Sequence, residues 1–255
     1  MSALTTERHL AELEAQTAGF AELVRDMDQA RIVPTCPEWT LGRLVHHVGV
    51  SHRWVAEVVA RRASELPRLG EVPNRTVPEP SEQRAAWLRA GAARLAAAVR
   101  EAGPSAPVWT WLGRGDVAFW ARRMAAETAV HRADVALMER RELALAPDFA
   151  ADAISEWLGI LATPSFGRTE LHGNGETLHF HATDEGLGPA GEWFVTRSPG
   201  GIEVEQRHGK GDVAVRGPAT SLMLTLLRRI PASDPRLQVL GDEGLLAHWL
   251  DNSRF

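Results

Sequence analysis

Apolar residues recur at helical spacing through the first half of the chain and at alternate positions through much of the second. From Thr6 to Met27, Leu10, Leu13, Phe20 and Leu23 mark one helical face, with Thr5 or Thr6 as N-cap. Pro34 and Pro37 break that pattern, so VPTCPEW reads as a linker. From Thr40 to Arg62, Leu41, Leu44, Val45, Val48, Val55 and Val59 share a second helical face. A Pro-rich linker, Leu66 to Pro80, ends at Ser81, the expected N-cap of a third helix that stops at Gly103 and Pro104. APVWTWLGRGD reads as a loop carrying two tryptophans, and Asp116 caps a fourth helix running to Glu139.

Four long helices with mostly short connections predict an antiparallel four-helix bundle over residues 1–146. A further helix, Asp148 to Leu161, opens the remainder, residues 147–255. There TLHFHATD, EWFVTR, GIEVEQR and DVAVRG alternate with period two between Gly- and Pro-rich turns and read as strands. LQVLG is a last strand, set between helices at Pro218–Arg229 and Glu243–Asp251. The fold class is therefore α+β and multidomain: a helical bundle followed by a small α+β domain with a mostly antiparallel sheet.

The fourth helix carries the informative chemistry. At about 100° per residue, Trp120, Met124, Val135 and Met138 fall on one side, and Arg122, Arg132 and Arg140 on the other. Glu127 and His131 lie inside the apolar stripe one turn apart, so their side chains can converge on one point. A lone buried carboxylate is costly and requires a partner, and a divalent metal is such a partner. Spacing alone leaves a hydrogen-bonded core pair as the competing reading. A metal would need a third ligand. His47 and His52 flank the apolar face of the second helix on opposite shoulders, and periodicity does not choose between them. Asp134 follows on the Glu127 face, suited to orient His131 or to cap an arginine rather than to bind metal.

Composition narrows the chemistry. A chain of 255 residues, 44% hydrophobic, can bury a sizeable core, and its length suits one large domain or, as the change of pattern favours, two smaller ones. Cys36 is the sole cysteine, which excludes an internal disulfide and a multi-thiolate zinc site, so any metal site must use His, Asp and Glu. The formal net charge of −5, with arginines interspersed among acids, gives no basic stripe for nucleic acid. Lys210 is the only lysine and no P-loop motif occurs, so Schiff-base chemistry and P-loop phosphate binding are set aside. No run approaches the roughly 20 apolar residues of a membrane helix, and MSALTTERHL lacks the regions of a signal peptide. The protein is expected to be soluble and cytoplasmic, without a membrane partner. Nothing in the pattern specifies an oligomeric state.

Four segments together, VPTCPEWTLGRLVHHVGVSHRWV, FWARRMAAETAVHRAD, GDVAVRGPATSLMLTLLRR and LQVLGDEGLLAHWL, resemble the mycothiol-dependent maleylpyruvate isomerase family. The resemblance spans most of the chain. It implies a DinB-like bundle and a sterol-carrier-like C-terminal domain. In the family a histidine before the hydrophobic-Gly pair of the second helix, with Glu and His of E-x-x-x-H-R-x-D, hold the metal. On this chain these are His47, Glu127 and His131, so the resemblance supplies the third ligand and selects His47 over His52. The chain departs from the pattern at His46, where a small residue is usual; a solvated side chain is expected there.

Three ligands of this type suit a divalent ion, most simply zinc, with an open coordination position. The implied cosubstrate is mycothiol or a similar thiol, held at the metal as thiolate. It adds to a conjugated cis double bond, the adduct rotates, and elimination returns the trans isomer. The resemblance also points to a C-terminal arginine beside the substrate, for which Arg229 is preferred over Arg228; the competing reading is a pair serving only the helix dipole. Trp54, one or two helical turns from His47, is placed to wall the thiol and small-molecule substrate pocket. Two other classes use the same ligands: a thiol-independent metal hydrolase or lyase, and a non-catalytic module whose metal is closed by a fourth protein ligand.

Overall fold

A computed structural model describes residues 4–65, 68–166 and 168–254. It divides into two compact units, Thr5–Glu142 and Leu143–Phe255.

The first unit is helical. Helices α1 (Thr6–Leu23), α2 (Leu41–Ala60), α3 (Ser81–Ala102) and α4 (Val117–Met138) account for most of it. Side-chain oxygens of Thr5, Thr40 and Asp116 accept backbone N–H bonds from Arg8, Arg43 and Phe119, so three helices begin where capping chemistry places them. Ser81, expected as a cap, is instead the first helical residue of α3, and Pro80 stands at the cap without a side-chain bond. α1 packs on α3 and α4, and α2 packs on the same two helices. Phe20, Leu41, Leu44, Val45, Val48, Leu88 and Val135 meet in the core between them. Gly49 permits the approach of α2 to α3, because a Cβ there would lie 2.0 Å from the Trp87 ring.

Three further readings of this unit are corrected. The stretch read as a linker pairs into a hairpin, β1 (Ile32–Val33) with β2 (Cys36–Thr40), turning through Pro34 and Thr35. The tryptophan-bearing loop is a second hairpin, β3 (Pro107–Thr110) with β4 (Gly113–Asp116). Strands this short carry too few residues for a period-two signal. The apolar stripe assigned to α4 is in fact burial on nearly every side: Ala121, Ala125, Ala126, Ala129, Ala133 and Ala136 are all buried, and so is Arg123. Alanine contributes little to an amphipathic pattern, yet its small side chain lets neighbours close around the helix.

The second unit opens with α5 (Pro147–Leu161), followed by a five-stranded sheet. Its strands are β5 (Thr177–Ala182), β6 (Glu192–Ser198), β7 (Gly201–Glu205), β8 (Val213–Gly217) and β9 (Gln238–Gly241), in the order β7-β6-β5-β8-β9. Only β5 and β8 run parallel. Leu178, Phe180, Trp193, Val195, Val213 and Val215 share one sheet face by register and are buried. Helices α5, α6 (Ala219–Leu226) and α7 (Glu243–Asn252) contact this sheet. Trp193 Nε1 donates to Ser155 Oγ of α5 at 2.8 Å, and the Phe180 ring lies 6.3 Å from Trp249 of α7, so these helices cover the apolar face. α6 ends three residues before the expected Arg229, with Arg228 in the left-handed region at φ 61°. Among the described residues no helix is long and apolar enough to cross a membrane.

Candidate metal centre

His47 on α2 and Glu127 and His131 on α4 converge: one potential ligand atom from each lies within 4.8 Å of the other two. His47 Nε2 donates to Glu127 Oε1 at 2.8 Å, across 80 residues of sequence. The two imidazoles meet edge to face with centroids 5.0 Å apart. Burial alone would push the Glu127 carboxyl up. The His47 hydrogen bond and the Arg123 guanidinium, 3.7 Å from Oε2, outweigh it and hold the group down to about 2. Glu127 is therefore an anion throughout the neutral range.

His131 is oriented from behind. Its Nδ1 donates to Asp134 Oδ2 at 2.8 Å, and Asp134 is fully buried. The other carboxylate oxygen accepts from Thr35 Oγ1 at 2.6 Å, and the Cys36 thiol lies 3.9 Å from Oδ2. With Nδ1 committed as donor, Nε2 carries the lone pair. The β1–β2 hairpin thus supplies the groups that hold Asp134. Thr35 gave no signal in the sequence, since a hydroxyl in a proline-flanked turn is ordinary.

His52, the alternative that periodicity left open, belongs to the core. It is 1% exposed, its Nε2 lies 2.8 Å from Thr128 Oγ1, and burial pushes its pKa down to about 3. His46 is exposed.

One aromatic ring borders the cluster, and a second aromatic group lies further along the same two helices. Trp39 of β2 sits 4.9 Å from the His47 ring and 6.2 Å from the His131 ring. The β1–β2 hairpin brings it here. Trp54 packs edge-on against Trp109 and Trp120, at 5.9 and 5.5 Å. Trp54 follows His47, and Trp120 precedes Glu127, by two helical turns, about 10 Å along each axis. Trp54 is thus a more remote neighbour than Trp39. In the second unit, Arg228 pairs with Asp251 at 2.5 Å, while Arg229 donates to the Leu227 carbonyl at 2.7 Å.

The donor set fits a divalent transition ion. It offers two imidazoles and one carboxylate that is ionised at neutral pH, and one imidazole has its tautomer set by a buried acid, as metal-binding histidines require.

Comparison with known proteins extends across both units. Residues 10–136 match the model described as the mycothiol maleylpyruvate isomerase N-terminal domain, and residues 148–248 match the MDMPI C-terminal domain. A solved structure of the mycothiol-dependent maleylpyruvate isomerase is 19% identical and superposes with a TM-score of 0.53, covering 94% of this chain and 95% of that one. A mutant of such an isomerase gives 18% identity, a TM-score of 0.52 and the same coverage. No curated protein matches the chain. At these identities the structures speak for the fold, whereas the two domain models, matched in order over most of the sequence, speak for descent: the chain belongs to the mycothiol maleylpyruvate isomerase family of enzymes.

Proposed function

We propose that the protein uses a low-molecular-weight thiol, mycothiol or a close analogue, for cis–trans isomerisation of a small unsaturated acid or thiol transfer to a small electrophile. His47, Glu127 and His131 would hold a divalent ion, zinc being the simplest fit. Bound there, that ion supplies Lewis acidity sufficient to keep a thiol ionised at neutral pH. The observation that carries the reading is the convergence of these three groups with Asp134 fixing the His131 tautomer.

The remaining work falls to the chain's own side chains. Glu127 contributes one negative charge and no proton, since the Arg123 guanidinium lies 3.7 Å from its Oε2 and a bound ion would itself favour the carboxylate. Trp39 places an apolar ring beside the two imidazoles. Trp54, with Trp109 and Trp120, offers a further aromatic wall for the thiol or substrate. Arg229 is proposed, on the family likeness alone, to stabilise negative charge on the substrate.

The test is turnover of an activated cis-alkenoic acid by zinc-loaded protein, with and without added mycothiol. Turnover or S-conjugation only in the presence of thiol is expected. Equal turnover without thiol would overturn the proposal in favour of metal-assisted hydrolysis or elimination. Bound metal without any turnover would point to a binding module.

A further inference from the structure

The second unit holds another convergence of ligating groups. His179 and His181 are two residues apart on β5, so both side chains leave the same sheet face, opposite to Leu178 and Phe180. Glu192 of β6 pairs directly with His181 in the antiparallel register. His208 comes from elsewhere. It sits in the connection 206–212, which carries the chain from β7 across β6 to β8, on the far side of β5.

That connection lies flat on the sheet. The Arg207 guanidinium stacks 3.8 Å from the centroid of Phe194, the residue paired with His179. A Cβ on Gly209 would come within 2.6 Å of the same ring, so only glycine lets the backbone approach so closely. His208 is thereby set down over β5 and β6 although its side chain is 74% exposed.

Four potential ligand atoms, one from each of His179, His181, Glu192 and His208, lie within 4.8 Å of one another. His208 Nδ1 is 3.2 Å from Glu192 Oε1, His181 Nδ1 is 3.7 Å from the same oxygen, and His179 Nε2 is 2.5 Å from Oε2. Tetrahedral zinc with bonds of about 2.0–2.1 Å separates its ligand atoms by about 3.3 Å. With Oε1 as the ligand atom, the two distances to it are near that figure, while His179 Nε2 touches the other oxygen of the same carboxylate and lies within 4.8 Å of the remaining ligand atoms only as a member of the cluster. The ring centroids are 5.0 Å apart for His179 and His208, 5.9 Å for His179 and His181, and 6.0 Å for His181 and His208. Three imidazoles around one tetrahedral ion place their centroids roughly 5 Å apart.

We propose that His179, His181, Glu192 and His208 form a second divalent-metal site, taking zinc or a similar transition ion. Three nitrogen donors against one oxygen disfavour calcium and magnesium, which take oxygen ligands. Four protein ligands complete a tetrahedron, so this site is structural: it ties the 206–212 connection to the sheet. It shares no residue with the site on α2 and α4.

Zinc content of the full-length protein, measured by plasma mass spectrometry after equilibration with micromolar zinc and gel filtration, tests this. Wild type is expected to retain two ions. The pair His179→Ala with His181→Ala should retain one, and the pair His47→Ala with His131→Ala should also retain one. Were the α2–α4 reading wrong and this one right, wild type would hold one ion, lost with the β5 pair and kept with the other. Equal zinc in wild type and a folded β5 pair would overturn the inference. Because β5 is central and that pair could fail to fold, His208→Ala, on an exposed side chain, provides an independent arm. It should weaken one site on the order of tenfold or more and speed proteolysis of the connection. Unchanged affinity in His208→Ala would show that the cluster is only a hydrogen-bonded network.

Discussion

Asp134→Asn preserves volume and shape and replaces one acceptor oxygen by a donor amide. In the native arrangement both carboxylate oxygens accept, Oδ1 from Thr35 at 2.6 Å and Oδ2 from His131 Nδ1 at 2.8 Å. Asparagine has one carbonyl for these two donors. If its amide faces His131, Nδ1 must accept, the ring proton moves to Nε2, and the lone pair proposed to bind metal is gone. If the amide turns to Thr35, the hydroxyl can rotate to accept it and the tautomer survives. The negative charge that balances a bound cation is still lost from a fully buried position. Groups behind metal-binding histidines typically change affinity 10–100-fold, which corresponds to about 1.4–2.7 kcal/mol. The Thr35-facing rotamer sets the lower end. Competition for zinc against a chromophoric chelator measures this directly, with circular dichroism as the control for folding. Thr35→Val should lose less, since it leaves the carboxylate and its bond to His131 in place. An Asp134→Asn affinity within about twofold of wild type, in a folded protein, would refute the assignment of His131 Nε2 as a ligand, because second-sphere losses run well above that.

Other outcomes follow from the same coordinates. His52 has a folded pKa of about 3 against an ordinary 6.5, so the unfolded chain takes up a proton there while the native one does not. Its contribution is complete above about pH 6.5, falls as pH drops toward 3, and amounts to about 2 kcal/mol lost at pH 5; urea midpoints at pH 7 and 5 should differ less for His52→Gln, and identical differences would reject the effect. Gly49→Ala sets a Cβ 2.0 Å from a Trp87 ring held by its Nε1 bond to the Asn74 carbonyl at 2.7 Å and by stacking with Arg53. A loss of about 1–3 kcal/mol is expected in chemical denaturation, and wild-type stability would show that Trp87 can move. Trp39→Ala should raise the thiol KM more than it lowers kcat, while Trp54→Ala, two turns away, should act less on that constant. The reverse order would reassign the thiol wall to Trp54.

How far the sequence reached depended on the range of the forces at each point. Helix starts at Thr5, Thr40 and Asp116 are local events, one side chain bonding a backbone N–H three residues on, and they were legible without coordinates. The strands of the second unit were legible too, because a sheet with one apolar face imposes alternation. The α4 stripe was legible in part: Trp120, Met124 and Val135 are buried, but an alanine-rich helix buried on most sides does not declare the rest of its contacts. Glu127 and His131 could be paired from spacing within one helix. The place of His47 beside them came from family likeness, and periodicity alone left His52 equal to it.

What the sequence determined by itself was the order of the long helices and of the second unit's strands, the division into a helical and a mixed unit, and the kind of ligands any metal must find. Tertiary structure decided which groups meet: His47 with Glu127 across 80 residues, Thr35 with Asp134 across 99, Trp39 beside two imidazoles, and His208 above a strand laid down well before it. The physical reason is that periodicity and capping record bonds closed within a few residues. Convergence between distant side chains depends on how helices and strands pack, and that packing leaves no regular mark along the chain.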